Sequence, residues 1–296
     1  MDLNEYQRAA RRTDQVPGTE GDALVIPLLG MAGEAASLLV EYKKWIRDGA
    51  AHRLFRERLS EELGDLLWYL ANVADKFGLD LEDVAVSNLH KVEQRWTPVG
   101  QTTPQSTLPL LFDAGFPEGE QFPREMIAEI SGSADERGRA TATLSINGAT
   151  IGDVLRDNSY EDDGYRFHDV FHLGNVALLG WSPTMRALMR RKRRSSPRTD
   201  EVEDGGRAIV IDEAIAAYVF DAARAHDYYA GVKEIDYEVL RTIRSLTAGL
   251  EVEVRSAAEW QHAILTSLGV WRDIRSRAGG KLALDLRTRR FEAIAP

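Results

Sequence analysis

Leu29-Gly30-Met31-Ala32-Gly33-Glu34-Ala35-Ala36-Ser37, Glu61-Glu62-Leu63-Gly64-Asp65 and Asn88-Leu89-His90-Lys91-Val92-Glu93-Gln94-Arg95 fall within one stretch, Leu29–Arg95, that decides the fold. Apolar residues recur through it at three- and four-residue spacing, which predicts helices. Residues three or four apart share a helix face. Glu34 and Glu41 are two turns apart, so they fall on one face. Glu62 and Asp65 share a face on the next run, and Glu61 is one turn from Asp65. Two acidic helix faces brought together make an all-oxygen site for a hard cation such as Mg²⁺. Glu34 interrupts an otherwise apolar run, and a buried carboxylate without a partner costs several kcal/mol, on the order of the penalty for any unpaired buried charge. A metal ion is a natural partner for it. Lys91 and Arg95, four apart, can face the same space and hold phosphate.

This constellation resembles the MazG-like all-α nucleoside triphosphate pyrophosphohydrolases. The residues that carry the resemblance are Gly33-Glu34, Glu61-Glu62-Leu63-Gly64-Asp65, Asn88, Lys91 and Arg95. Leu66-Leu67-Trp68-Tyr69-Leu70-Ala71 and Gly78-Leu79-Asp80-Leu81-Glu82 fit the same pattern. The likeness covers about the first third of the chain. It implies hydrolysis of a nucleoside or deoxynucleoside triphosphate to the monophosphate and pyrophosphate, with Mg²⁺ as cofactor or Mn²⁺ in its place. It implies catalytic roles for Glu34, Glu61, Glu62 and Asp65, with Glu34, Glu62 and Asp65 as metal ligands. Asn88, Lys91 and Arg95 are then the substrate-binding residues. Lys44 is a further candidate for that pocket, and Trp68 for stacking on a base. The family's second metal-binding Glu falls at Ser37 here; Glu41, one turn on, is the candidate replacement. The family and the long apolar helix faces imply a homo-oligomer, a dimer or a dimer of dimers.

Composition narrows the classes. The chain has 296 residues, enough for two domains, with 44% hydrophobic residues and a net charge of −10. That charge argues against a general nucleic-acid coat. No cysteine occurs, so disulfides and thiolate metal sites are excluded. The first residues have neither a basic segment nor an apolar one of signal-peptide type. Ala23–Val40 is apolar apart from Glu34 and Ser37 and about long enough to span a bilayer. The carboxylate, Pro27, Gly30 and Gly33 favour a buried bundle helix instead. A cytoplasmic protein without membrane contact is the expectation.

The expected architecture is mainly α: an N-terminal all-α helical bundle, then a mostly helical α+β domain with a small antiparallel sheet. The first domain spans 1–97, with helices over Leu3–Thr13, Ala23–Arg47, Ala51–Lys76 and Leu81–Trp96. Residues 98–123, rich in Gly, Pro, Thr and Ser, read as a linker. The second domain, 124–296, carries no recognised pattern. Arg124–Ser131 and Ala140–Ile146 read as strands joined onward by the Asn147-Gly148 hairpin signal. Gly152–Leu155 reads as the start of a short helix. Tyr165–Leu179, Ile209–His226, Tyr237–Leu250 and Ala257–Ser276 read as helices, and Lys281–Asp285 with Arg290–Ile294 as a closing hairpin. Ser195–Gly206 reads as a polar, mobile segment.

Two features of the second domain bear on chemistry. His168 and His172, at i and i+4, can ligate one metal, and Asp169 stands between them. A later acid, Glu213 beside Asp212, can complete such a site. The bland alternative is a helix whose histidines satisfy buried hydrogen bonds. Arg190-Arg191-Lys192-Arg193-Arg194 is a basic cluster that reads as a solvated loop beside Asp200, Glu201, Glu203 and Asp204. Two readings stand beside pyrophosphohydrolysis. One is a catalytically weakened nucleotide-binding regulatory module, through Ser37. The other is a metal-dependent hydrolase centred on His168 and His172.

Overall fold

A computed structural model describes residues 1–96 and 111–295, the side chains of 94–96 excepted. The described residues hold ten α-helices and one five-stranded sheet. Their contacts divide the chain into two units, Met1–Glu93 and Gln94–Pro296.

The first unit is a helical bundle. α1 (Leu3–Arg11) starts at a capping box: Asp2 accepts from the Glu5 N–H at 2.7 Å, and Glu5 accepts in return from the Asp2 N–H at 3.2 Å. α2 (Asp22–Asp48) and α3 (Phe55–Lys76) form the long pair. They run antiparallel. Trp45 stacks on Phe55 near the turn, with ring centroids 5.4 Å apart, and Gly30 meets Tyr69 further along. A Cβ at Gly30 would come within 2.3 Å of the Tyr69 ring, so a larger residue there has to displace that ring. Gly78, at φ +65, ends α3, and Asp80 caps α4 (Leu81–Trp96) by accepting from the Asp83 N–H. The small core gathers Ala10, Ala71, Ala74 and Leu81. Gln7 ties α1 to the α3–α4 turn through both ends of its amide: it donates to the Leu79 carbonyl at 2.9 Å and accepts from the Leu81 N–H at 2.8 Å.

α2 departs from the expected buried helix. Val25, Leu29, Leu39, Tyr42 and Ile46 on it are exposed in the single chain. The physical reason is that α3 covers one side of it only, while the short α1 packs on α3. With the turn that follows, Asp22–Ala51 is long and apolar enough to cross a membrane, its most apolar 18-residue window having a mean hydropathy of 1.9.

The second unit builds an antiparallel sheet in the order β3-β2-β1-β4-β5. Its strands are β1 (Glu125–Ala134), β2 (Ala140–Ile146), β3 (Ala149–Leu155), β4 (Gly279–Asp285) and β5 (Arg290–Ala293). β1 alternates exposed and buried residues, and Met126, Ala128 and Ile130 point into the core. Asn147 and Gly148, at φ +50 and +83, close the expected tight hairpin. The chain therefore returns as strand β3, where a short helix was expected from Gly152.

Six α-helices lie between β3 and β4: α5 (Asp169–Leu179), α6 (Pro183–Leu188), α7 (Pro197–Val202), α8 (Gly206–Arg224), α9 (Tyr237–Leu246) and α10 (Ala257–Arg277). α5 and α10 lie together, and Trp181, Trp260 and Trp271 are buried in the same core. Tyr237–Leu250 thus yields a helix only to Leu246, with Gly249 at φ +80 turning the chain beyond it.

Three expectations are corrected by buried ion pairs. Of the expected linker, residues 98–110 lie outside the described ones, but 111–123 packs into this unit. Phe122 is buried, and the Asp113 carboxylate accepts from Arg186 at 3.0 Å, Arg124 at 2.7 Å and the Phe122 N–H at 2.8 Å. The basic cluster is not a solvated loop. Arg193 is buried between Asp204, at 2.7 Å, and Glu251, at 2.7 Å and 2.8 Å. The segment 195–206, expected to be mobile, contains α7 and carries the buried Asp204.

Candidate functional site

In the first unit the register of α2 on α3 decides which acids meet. Gly30 sits against Tyr69. One turn further along α2 is Glu34; one and two turns earlier along the antiparallel α3 are Asp65 and Glu62. Glu34 and Glu62 lie on facing stretches of the two helices, close enough to influence each other's charge. Partial burial, then the contact with Glu34, then the charges of Glu34, Glu61 and Asp65, raise the Glu62 carboxyl above the usual carboxylate range. Four acids crowding one seam repel one another, and a divalent cation is the partner that relieves such repulsion. The donor set is all oxygen, as a hard cation requires.

The other first-unit candidates divide. Glu61 is exposed and paired with Arg58 at 3.0 Å. Glu41 is buried, paired with Lys44 and 3.0 Å from His52 Nε2. Lys44's contact with Glu41 lowers the Glu41 carboxyl below its usual range. Glu41, the candidate replacement for the carboxylate missing at Ser37, and Lys44, the candidate phosphate contact, are thus paired with each other. Trp68 is a packing residue: its indole N–H donates to Thr13 Oγ1 at 2.8 Å, and it lies against the α1–α3 core. Asn88 and Lys91 are exposed on α4. Arg95 lies on α4 with its side chain outside the described residues. Sequence reasoning missed Gly30 and His52. The signal for Gly30 was a small residue inside an otherwise bulky apolar run.

The second unit brings together a different set. His168 precedes α5 and stacks on Tyr165, with centroids 4.5 Å apart, while its Nδ1 lies 2.9 Å from the Tyr165 carbonyl. Asp169 and His172 sit on the first turn of α5, both buried. Among the described residues, His168, Asp169 and His172 form one group whose ligand atoms all lie within 4.8 Å of one another. α8 supplies Asp212 and Glu213. Asp212 is fully buried and lies 3.0 Å from His172 Nδ1; its other oxygen accepts from Ser182 Oγ at 2.6 Å and the Thr184 N–H at 3.2 Å. Glu213 Oε2 lies 3.4 Å from His172 Nε2 and 3.8 Å from His168 Nε2. Burial disfavours a charged His172, but Asp212 and Glu213 outweigh it and raise its affinity for a proton. Burial raises the Asp169 carboxyl. Sequence reasoning missed Ser182 and Thr184, whose signal was the Ser-Pro start of α6.

Comparison with known proteins agrees with the bundle and names the second unit. A family model described as the MazG nucleotide pyrophosphohydrolase domain matches residues 33–99, and one described as the MazG C-terminal domain matches residues 107–295. The chain belongs to the MazG family. The Gene 37 protein of Mycobacterium phage L5 is 35% identical over 102 residues, which cover 32% of this chain and 89% of that protein. No solved structure matches the chain. Family membership supports a nucleotide pyrophosphohydrolase role for the protein.

Proposed function

We propose that the first unit hydrolyses a nucleoside or deoxynucleoside triphosphate between its α- and β-phosphates, giving the monophosphate and pyrophosphate, with Mg²⁺ or Mn²⁺ bound. The observation that carries this reading is the meeting of Glu34 with Glu62 across the α2–α3 seam, beside Asp65. Glu34, Glu62 and Asp65 would hold the cation. A bound divalent ion neutralises phosphate charge and lowers the pKa of water. Glu61, close to Glu62 and paired with Arg58 at the surface, would accept a proton from the attacking water. Lys91 and Arg95, one turn apart on α4, would neutralise the polyphosphate tail, and Asn88 would contact the sugar or a phosphate. With Ser37 in place of a carboxylate and Glu41 committed to Lys44 and His52, the seam offers fewer oxygens than the family pattern.

The same unit leaves the apolar face of α2 uncovered, and a second copy of the chain is the occupant that reading favours. Control of nucleotide pools, including removal of noncanonical nucleotides in stress or phage defence, is the physiological setting that fits such a hydrolase.

The test is pyrophosphate release from a panel of NTPs and dNTPs with Mg²⁺ or Mn²⁺, on wild type and Glu62→Ala. Release that needs both the metal and Glu62 is the expected result. No release from any nucleotide by a folded wild-type chain would overturn the reading.

A further inference from the structure

We propose that the second unit contains a metal centre of its own, a mixed nitrogen–oxygen site for a borderline divalent ion of the Zn²⁺ class, ligated by His168 Nε2, His172 Nε2, Asp169 and Glu213. This centre differs in kind from the all-oxygen seam of the first unit.

Three observations converge on it. The first is proximity: His168, Asp169 and His172 already bring their ligand atoms within 4.8 Å of one another. The second is an unsatisfied atom. His172 is fully buried, and its Nε2 has no hydrogen-bond partner; Glu213 Oε2 at 3.4 Å is near but out of hydrogen-bond alignment. A buried polar atom without a partner calls for an explanation, and an unplaced ion is one.

The third is the spacing and support of the ligands. A tetrahedral Zn²⁺ with bonds of about 2.0–2.1 Å sets its ligands roughly 3.3–3.4 Å apart. Glu213 Oε2 stands 3.4 Å and 3.8 Å from the two Nε2 atoms. Both histidines are oriented through the opposite nitrogen, His168 by the Tyr165 carbonyl at 2.9 Å and His172 by Asp212 at 3.0 Å. Asp212 is itself fixed by Ser182 and Thr184. A carboxylate or carbonyl behind each imidazole is the usual support of a metal-bound histidine. Two imidazoles with carboxylates, and no cysteine anywhere in the chain, select a borderline ion over Mg²⁺ or Cu⁺. The entry path is the Glu213 side, since Glu213 is partly exposed while His172 and Asp212 are not.

Cobalt is the probe. The full chain, stripped with a chelator, is titrated with Co²⁺ in excess Mg²⁺, which occupies oxygen sites. We expect one cobalt per chain, with the intense visible d–d bands of a low-coordinate, nitrogen-containing site, and its displacement by Zn²⁺. His168→Gln and Asp169→Asn should remove the bands, and their metal-free melting curves should match wild type. Asp212→Asn should weaken cobalt binding about 10–100-fold. Glu62→Gln should leave the bands unchanged. Failure of wild type to bind more cobalt than His168→Gln would overturn the proposal, as would bands that persist in His168→Gln and vanish in Glu62→Gln. Either result would leave His172 as a proton-holding group between Asp212 and Glu213.

Discussion

Glu34 on α2 and Glu62 on α3 lie close enough across the seam that Glu34 raises the Glu62 carboxyl above the usual carboxylate range. Two acids so placed are unfavourable for the folded chain by themselves. The Gly30–Tyr69 contact lies beside them on the same two helices.

Glu62→Gln should therefore separate activity from stability. Pyrophosphate release should fall about 10²-fold or more, as for loss of a group that holds the metal and shapes the acid–base site. The melting temperature of the metal-free protein should not fall, because one of the mutually repelling charges is gone. A pyrophosphate-release assay and thermal melts on the same preparation check both halves.

Gly30→Val should disturb the site from a distance. The new side chain must displace the Tyr69 ring, at about 1–3 kcal/mol for overpacking. The α2–α3 register shifts with it, so kcat should drop although no acid has been touched. Gly33→Ala, where a Cβ meets open space, is the control and should leave kcat and Tm near wild type. Denaturant melts alongside steady-state kinetics provide the comparison.

Asp113→Asn should destabilise the second unit by about 3–5 kcal/mol, the cost of breaking a buried ion pair. Burial raises the Asp113 carboxyl, but Arg186, the Phe122 N–H and Arg124 outweigh it and hold it below the usual carboxylate range. Its folded form thus binds a proton less readily than the unfolded chain does. The stability it contributes is complete above the ordinary carboxylate pKa and is lost as pH falls through the folded value. Tryptophan-fluorescence melts between neutral and acidic pH should show wild type losing stability toward acid and Asp113→Asn losing less.

Leu39→Glu with Ile46→Glu should yield monomers. These residues are two turns apart on one face of α2, and both are exposed in the single chain. Light scattering after size exclusion reads the mass. A wild type that is already monomeric would count against the second-copy reading of that face.

The helices of the first unit and the spacing of Glu34, Glu62 and Asp65 were legible in the sequence because both depend on local periodicity. The roles of Glu41 and Lys44 were not. Helix spacing puts Glu41 on the Glu34 face, but Lys44 pairs with it and His52, beyond the end of α2, lies within hydrogen-bond distance at 3.0 Å. Arg193 and Asp113 were misplaced for a related reason. Their partners lie 58 and 73 residues away, and no local pattern announces a pairing at that distance. Strand β3 escaped because its side chains are mostly exposed and so show no alternation. The His168–His172 pair was visible as spacing, while its support by Ser182 and Thr184 needed the fold.

The Asp113–Arg186 pair also defines how this chain can be divided and recombined. A fragment cut at Arg124 would keep the buried Arg186 guanidinium while discarding the carboxylate that accepts from it. Separate production of the C-terminal unit, or its transfer onto another partner, therefore has to begin upstream of Leu111. Any exchange of modules in this lineage faces the same boundary, set by one carboxylate ahead of the first strand.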